Sequence, residues 1–318
     1  MGVTAISAGL VAFWSSGFIG AELGTREAAA DTLLMWRFLA AAALFCGGWL
    51  LLRRRRLPRR ALGEQAVIGA LSQGGYLGAI VWAVGLGVPA GSAALIAALQ
   101  PLAAGALAGP LLGETVSRRQ WAGLAVGLAG VALVVRDDLG GAGAAPPWAY
   151  ALPFAGMAAL LGASFLERRA RSPLPPADAL PVHVLVSAVL FGAVALAGGR
   201  GAPPAGGGFW LAVAWVVVLS TAGGYGFYWL SLRRSGVTAT SALMYLTPPV
   251  TALWAYAMFG EAPGLLAVAG MAVAAAGVAA ATLGTGAARR PAGNPGRTGS
   301  GKVLVRRTRE EPRTGAVR

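Results

Sequence analysis

Long apolar runs, interrupted by short clusters of arginine, glycine and proline, dominate the pattern of this chain. Ten runs stand out, at residues 3–22, 32–52, 66–86, 90–112, 119–135, 148–167, 180–197, 209–231, 237–259 and 264–283. At about 1.5 Å per residue, the longer ones cross a hydrocarbon layer of roughly 30 Å as helices. A spanning backbone must satisfy its own hydrogen bonds, which leaves helices or a closed barrel. Runs of this length without alternation exclude the barrel. The pattern predicts an all-α polytopic membrane protein with ten transmembrane helices.

The runs also repeat. A shift of 147 residues superposes Leu99, Pro101, Gly113 and Glu114 on Leu246, Pro248, Gly260 and Glu261. The same shift places Gly123 and Gly130 on Gly270 and Gly277, while Gly74-Gly75-Tyr76 matches Gly223-Gly224-Tyr225 at a shift of 149. The chain therefore reads as two five-helix units, residues 1–140 and 141–286. A basic, Gly/Pro-rich tail at 287–318 follows, expected to be disordered and cytoplasmic. Because five is odd, the second unit enters the membrane from the opposite side, and the two repeats are inverted. Inverted repeats let one molecule pack in two mirror-related states, outward-open and inward-open.

Charge orients the spans. With the 53–65 loop in the cytoplasm, 22 basic residues face that side against three (Arg26, Arg136 and Arg200) outside, and Arg37 alone falls within a span. The positive-inside rule then predicts the cytoplasmic membrane, with both termini in the cytoplasm.

Composition narrows the class further. Only 12% of the 318 residues are charged and 56% are hydrophobic, with mean hydropathy +0.65; soluble domains carry roughly 25% charged residues. The net charge of +14 does not point to nucleic acid, because nine of the 26 basic residues lie in the tail and most others sit at span ends. The expected partners are a small-molecule substrate and the lipid bilayer. Cys46 and His183 are the only residues of their kinds, so no disulfide, haem pair, metal cluster or other cofactor is expected. The N-terminal stretch lacks a basic n-region and a cleavage site, and reads as the first span rather than a signal peptide. A membrane enzyme needs a nucleophile–base pair or metal ligands, so no catalytic residue is assigned. A channel needs a ring of charges or a carbonyl filter, and neither is evident.

Pro101 and Pro248 fall at the midpoints of matched runs. Each removes one helical hydrogen bond, and paired breaks in two repeats point to helix hinges at a midplane site. A kink required only for packing is the other reading. Polar and aromatic groups within the runs complete a candidate cavity: Trp14, Ser15, Ser16, Gln73, Tyr76, Gln100, Ser164, Tyr225 and Tyr245. Such groups are costly to leave facing lipid, and amphipathic rings grip a small solute without a fixed charge. Three charged candidates lie near the path. Arg37 pairs with Glu22, meets a substrate carboxylate, or snorkels to the outer interface. Glu22 is a coupling group or an interfacial acid; His183 is an interfacial residue or a proton relay. Runs five and ten carry matched small residues suited to close helix approach, either as internal scaffold or as a homodimer contact.

The segments ALIAALQPLAAGALAGPLLGETVSRRQWAGLAVGLAGVALVV and SGVTATSALMYLTPPVTALWAYAMFGE, with FWSSGF in the first run, resemble the EamA family of the drug/metabolite transporter superfamily. The resemblance covers about residues 3–283. It implies a ten-helix exporter of small metabolites such as amino acids, with a central cavity built by helices one to four and six to nine. Arg37-Phe38 matches the family's Arg-Phe pair at the start of helix two. Where the family frequently places a basic residue at the end of helix one, this chain has Glu22. Amino acids and related polar solutes are the first expectation, and efflux of drugs or other organic solutes is the alternative.

Overall fold

The computed structural model describes residues 2–52, 57–112, 117–141, 145–171 and 174–283. All regular structure among them is helical. The tail at 287–318 and the Gly113-Glu114 pair lie outside the described residues.

In the first half, α1 (Val3–Glu27) and α2 (Ala30–Leu52) meet at a tight turn. Then come α3 (Arg59–Gly69), a π-helical stretch at Ala70–Gly75, and α4 (Tyr76–Gly85). The helices α5 (Ala90–Ala98), α6 (Gln100–Leu112) and α7 (Arg118–Leu139) follow. A capping box starts α7: Gln120 N donates to Ser117 Oγ at 3.3 Å, and Ser117 N to Gln120 Oε1 at 2.8 Å. Two of the four N–H groups left open at a helix start are satisfied this way.

The second half opens with a 3₁₀ turn at Pro147–Tyr150, then α8 (Ala151–Arg169) and α9 (Pro176–Ala197). Next are α10 (Gly207–Trp215), a second π-helical stretch at Val216–Gly224, and α11 (Tyr225–Met244). The described chain closes with α12 (Thr247–Phe259) and α13 (Leu265–Leu283). Gly236 has φ +79° inside α11 and turns the chain sharply, a conformation that a residue with a Cβ rarely adopts.

Seven stretches among the described residues combine the length and apolar composition needed to cross a membrane. They are Val3–Glu27, Ala30–Leu52, Arg59–Gly85, Ala90–Leu107, Pro147–Arg169, Pro176–Ala197 and Gly207–Gly236. The apolar part of α13, Leu265–Ala280, is shorter, and α12 has only 13 residues because a break precedes it.

That break falls beside a proline but not on it. The helix stops at Ala98 in the first half and at Met244 in the second, and a new one begins at Gln100 and at Thr247. Pro101 and Pro248 thus take second place in their helices, where a missing N–H leaves no hydrogen bond unmade.

α1 is the hub. It packs against α4, α5, α10, α11, α12 and the Val216–Gly224 stretch. Its neighbours press on glycines: a Cβ at Gly9 would lie 2.3 Å from the Phe227 ring, and one at Gly20 2.3 Å from Val216. α2 packs on α9, where the Phe38 and Phe191 rings stack at 5.4 Å.

The small residues of runs five and ten face each other inside one chain. A Cβ at Gly130 would stand 2.5 Å from the Gly270 carbonyl oxygen, and one at Gly277 2.7 Å from that of Gly123. The two backbones therefore touch, the close approach that glycine stripes permit. A second copy of the chain meeting these two helices would have to use their outward faces, where Trp121 is exposed.

Candidate substrate-binding site

The two π-helical stretches determine where the central side chains point. A π turn holds an extra residue, so each shifts the phase of the helix that follows it. They end at the matched Gly75 and Gly224, and the next residues, Tyr76 and Tyr225, open α4 and α11. Both tyrosines project into one small cavity of about 80 Å³. Trp14, Gly17 and Phe18 of α1 line it, with Arg37 of α2 and Leu160 of α8. Ser72 and Ser220 come from the π-helical stretches themselves.

Arg37 is the only charged group on that wall. It is 3% exposed, and it reaches Thr221 Oγ1 only at 3.5 Å. Its Nε has no partner, and among the described residues it forms no ion pair. Phe38 lies under the guanidinium, 5.5 Å from its ring centre. A charge removed from water without an opposite charge is expensive, and nothing else on this wall offsets it. The cavity therefore carries a fixed positive charge, in contrast to the neutral one expected from its rings and amides.

Around Arg37 the polar groups are braced. Gln73, 1% exposed, donates through Nε2 to the Tyr225 hydroxyl, and its Oε1 is left without a partner. The Trp14 ring packs between Tyr225 at 6.2 Å and Tyr228 at 5.6 Å. Tilted aromatic contacts at such spacing fix the rings as well as burying them.

Of the candidates read from the sequence, Trp14, Tyr76 and Tyr225 line this cavity, and Gln73 supports it. The others lie elsewhere. Ser15 turns away from it and donates to the Thr247 carbonyl at 3.3 Å, tying α1 to the break before α12. Ser16 donates to Phe13 O at 2.6 Å, and Ser164 to Leu160 O at 2.8 Å. Both hydroxyls are thus taken up by their own helices. Tyr245 packs with Leu102, Leu124 and Val278. Gln100, Pro101 and Pro248 sit at the helix breaks, outside the lining.

The remaining charged candidates occupy opposite ends of the helices. Glu22 lies one turn beyond Phe18, where Arg26 bridges it at 2.5 Å and Glu261 at 2.7 Å. Arg37 therefore has no part in pairing Glu22. His183 Nε2 meets Gln65 Oε1 at 2.7 Å, and Gln65 Nε2 donates to Glu167 at 3.1 Å, a relay of contacts near the start of α3. Ser72, Gly17 and Ser220 were missed in the sequence. A serine or glycine in an apolar run carries no signal of which way it faces.

Long apolar helices closing around a small buried cavity define a polytopic membrane transport protein. The chain belongs to the EamA-like transporter family of the drug/metabolite transporter superfamily, which its residues 2–136 and 148–283 match in turn. Family and relatives are transporters, not enzymes. The chain is 30% identical over 300 residues, 90% of its length and 95% of the relative's, to a probable terminal-alkyne amino-acid exporter of Streptantibioticus cattleyicolor. It is 28% identical over 254 residues to the uncharacterized inner membrane transporter YedA of Escherichia coli strain K12, covering 79% of this chain and 81% of that one. A solved crystal structure has the same fold, with TM-score 0.62 at 23% identity over 88% of this chain and 96% of the other.

Proposed function

We propose that this transporter exports amino acids or related small carboxylates across the cytoplasmic membrane by alternating access. The observation that carries the reading is Arg37, buried without a carboxylate partner on a wall to which both halves of the chain contribute. A substrate carboxylate is the complement of a guanidinium fork. Trp14, Tyr76 and Tyr225 offer ring surface for an apolar side chain, and Gln73 braces the Tyr225 hydroxyl. The printed description of the Streptantibioticus relative agrees with this class. A fixed positive charge favours an anionic or zwitterionic solute over a cationic drug.

In this reading the ten apolar runs are ten spans, arranged as two inverted five-helix repeats at 1–140 and 141–286. Matched helix breaks, matched π-helical stretches and two successive family matches support it. The breaks beside Pro101 and Pro248 act as hinges about which one cavity opens to either side. Both termini lie in the cytoplasm, and the Glu22 end of α1 faces out.

The test is efflux of radiolabelled amino acids from proteoliposomes containing wild type or Arg37→Gln. Losing a charge-assisted contact is worth about 1.5–3 kcal/mol, so the variant should lower apparent affinity at least about tenfold. Unchanged transport by a folded Arg37→Gln protein would remove the basis of this proposal.

A further inference from the structure

We propose that the chamber at the Glu22 end of α1 is a second binding station, built to hold a primary ammonium group. The chamber has a volume of about 400 Å³ and is lined by Glu22 and Arg26 of α1, Asp138 of α7, Tyr150 and Glu261. Three carboxylates against one guanidinium leave its lining net negative.

One buried carboxylate oxygen in it lacks a donor. Glu22 is 6% exposed; Arg26 holds its Oε1 at 2.5 Å, and its Oε2 has no hydrogen bond. Tyr150 is 4% exposed, and its hydroxyl faces the Asp138 carboxylate. Asp138 shares the lining with it and accepts from Ser92 Oγ at 2.6 Å. Buried polar atoms are satisfied in nearly all folded proteins. A carboxylate oxygen left bare on the wall of a negative chamber therefore points to a donor that comes with a ligand.

The chemistry selects the donor. Among the described residues no three acidic, histidine or cysteine side chains gather closely enough to hold a metal ion. An alkylammonium instead carries three N–H donors on a compact charge, which suits oxygens set on different helices.

The chamber continues the central cavity along the same two helices. Phe18 and Val81 line the cavity, while Glu22 and Val84, one turn on, line the chamber. The path is thus positive at its centre and negative at its mouth. A zwitterion would be held in turn, by its carboxylate at the centre and by its ammonium at the mouth. The station rests on the transport reading only for its place on the route; its binding does not require Arg37.

Three probes of one shape separate the charges: isoamylammonium (amine only), isocaproate (carboxylate only) and leucine (both). Calorimetry on the purified full chain should show isoamylammonium binding weakened at least about tenfold by Glu22→Gln, with isocaproate unaffected. Tyr150→Phe, which leaves the Arg26 bridge intact, should weaken isoamylammonium severalfold and decides the matter if Glu22→Gln does not fold. Absence of isoamylammonium binding to wild type, or equal binding by wild type and the folded variants, would overturn the proposal. Failure of the central-cavity reading looks different: isocaproate would bind wild type and Arg37→Gln alike.

Discussion

The Gln73 amide and the Tyr225 hydroxyl come from opposite halves of the chain, and their hydrogen bond joins the two π-helical regions across the cavity. Each group positions the other beside Arg37, so loss of either should release both. Gln73→Ala and Tyr225→Phe should each slow transport severalfold, and the double variant should be no worse than the poorer single one. Groups in direct contact show coupling of about 0.5–3 kcal/mol; a strictly additive double variant would mean that the bond does no positioning. At this scale the sequence was informative where a side chain is costly in lipid. The structure brings Trp14, Gln73, Tyr76 and Tyr225 together, and the sequence pointed at them because an amide, an indole N–H or a ring hydroxyl is costly to leave in lipid. Ser15, Ser16 and Ser164 were not, because a hydroxyl can return to a carbonyl of its own or a neighbouring helix, and no pattern distinguishes that use from a cavity wall. The charge of the cavity was illegible for a related reason. Arg37 had three readings, snorkelling to the outer interface foremost, until the pairing of Glu22 with Arg26 left it alone.

Among the helices, α7 and α13 make the closest pair, and their contact depends on the absence of side chains. A methyl at Gly277 would press on the Gly123 carbonyl at 2.7 Å and the Gly127 nitrogen at 2.8 Å, both backbone atoms that cannot rotate aside. Gly277→Ala should therefore destabilise by about 1–3 kcal/mol, the usual range for overpacking, and lower the melting temperature by several degrees. Gly192→Ala on α9 is the matched control, since nothing lies within 4 Å of its added methyl; its helix propensity should leave stability equal or higher. Equal melting of the two variants would show that the α7–α13 seam is looser than it looks. The helices themselves were readable from apolar run length, and the breaks from the prolines. The π-helical stretches were not, because a run of apolar residues has the same composition in either helix.

For the molecule as a whole, orientation follows from where the arginines are. Those at the starts of α3 and α7 and at the end of α8 are exposed, and they crowd the side that the proposed topology assigns to the cytoplasm. A C-terminal fusion to a reporter that works only outside the cytoplasm should be silent, and a cytoplasmic fluorescent fusion should glow; the opposite result would invert the topology. The seam between α7 and α13 also bears on how the chain is made. α7 leaves the ribosome well before its glycine face has anything to rest on, since its partner α13 is the last of the described helices. At roughly 5–20 residues per second, the wait is on the order of ten seconds. During that time the translocon or surrounding lipid must cover the glycine face. Chains cut short before α13 would keep that face without its partner for good.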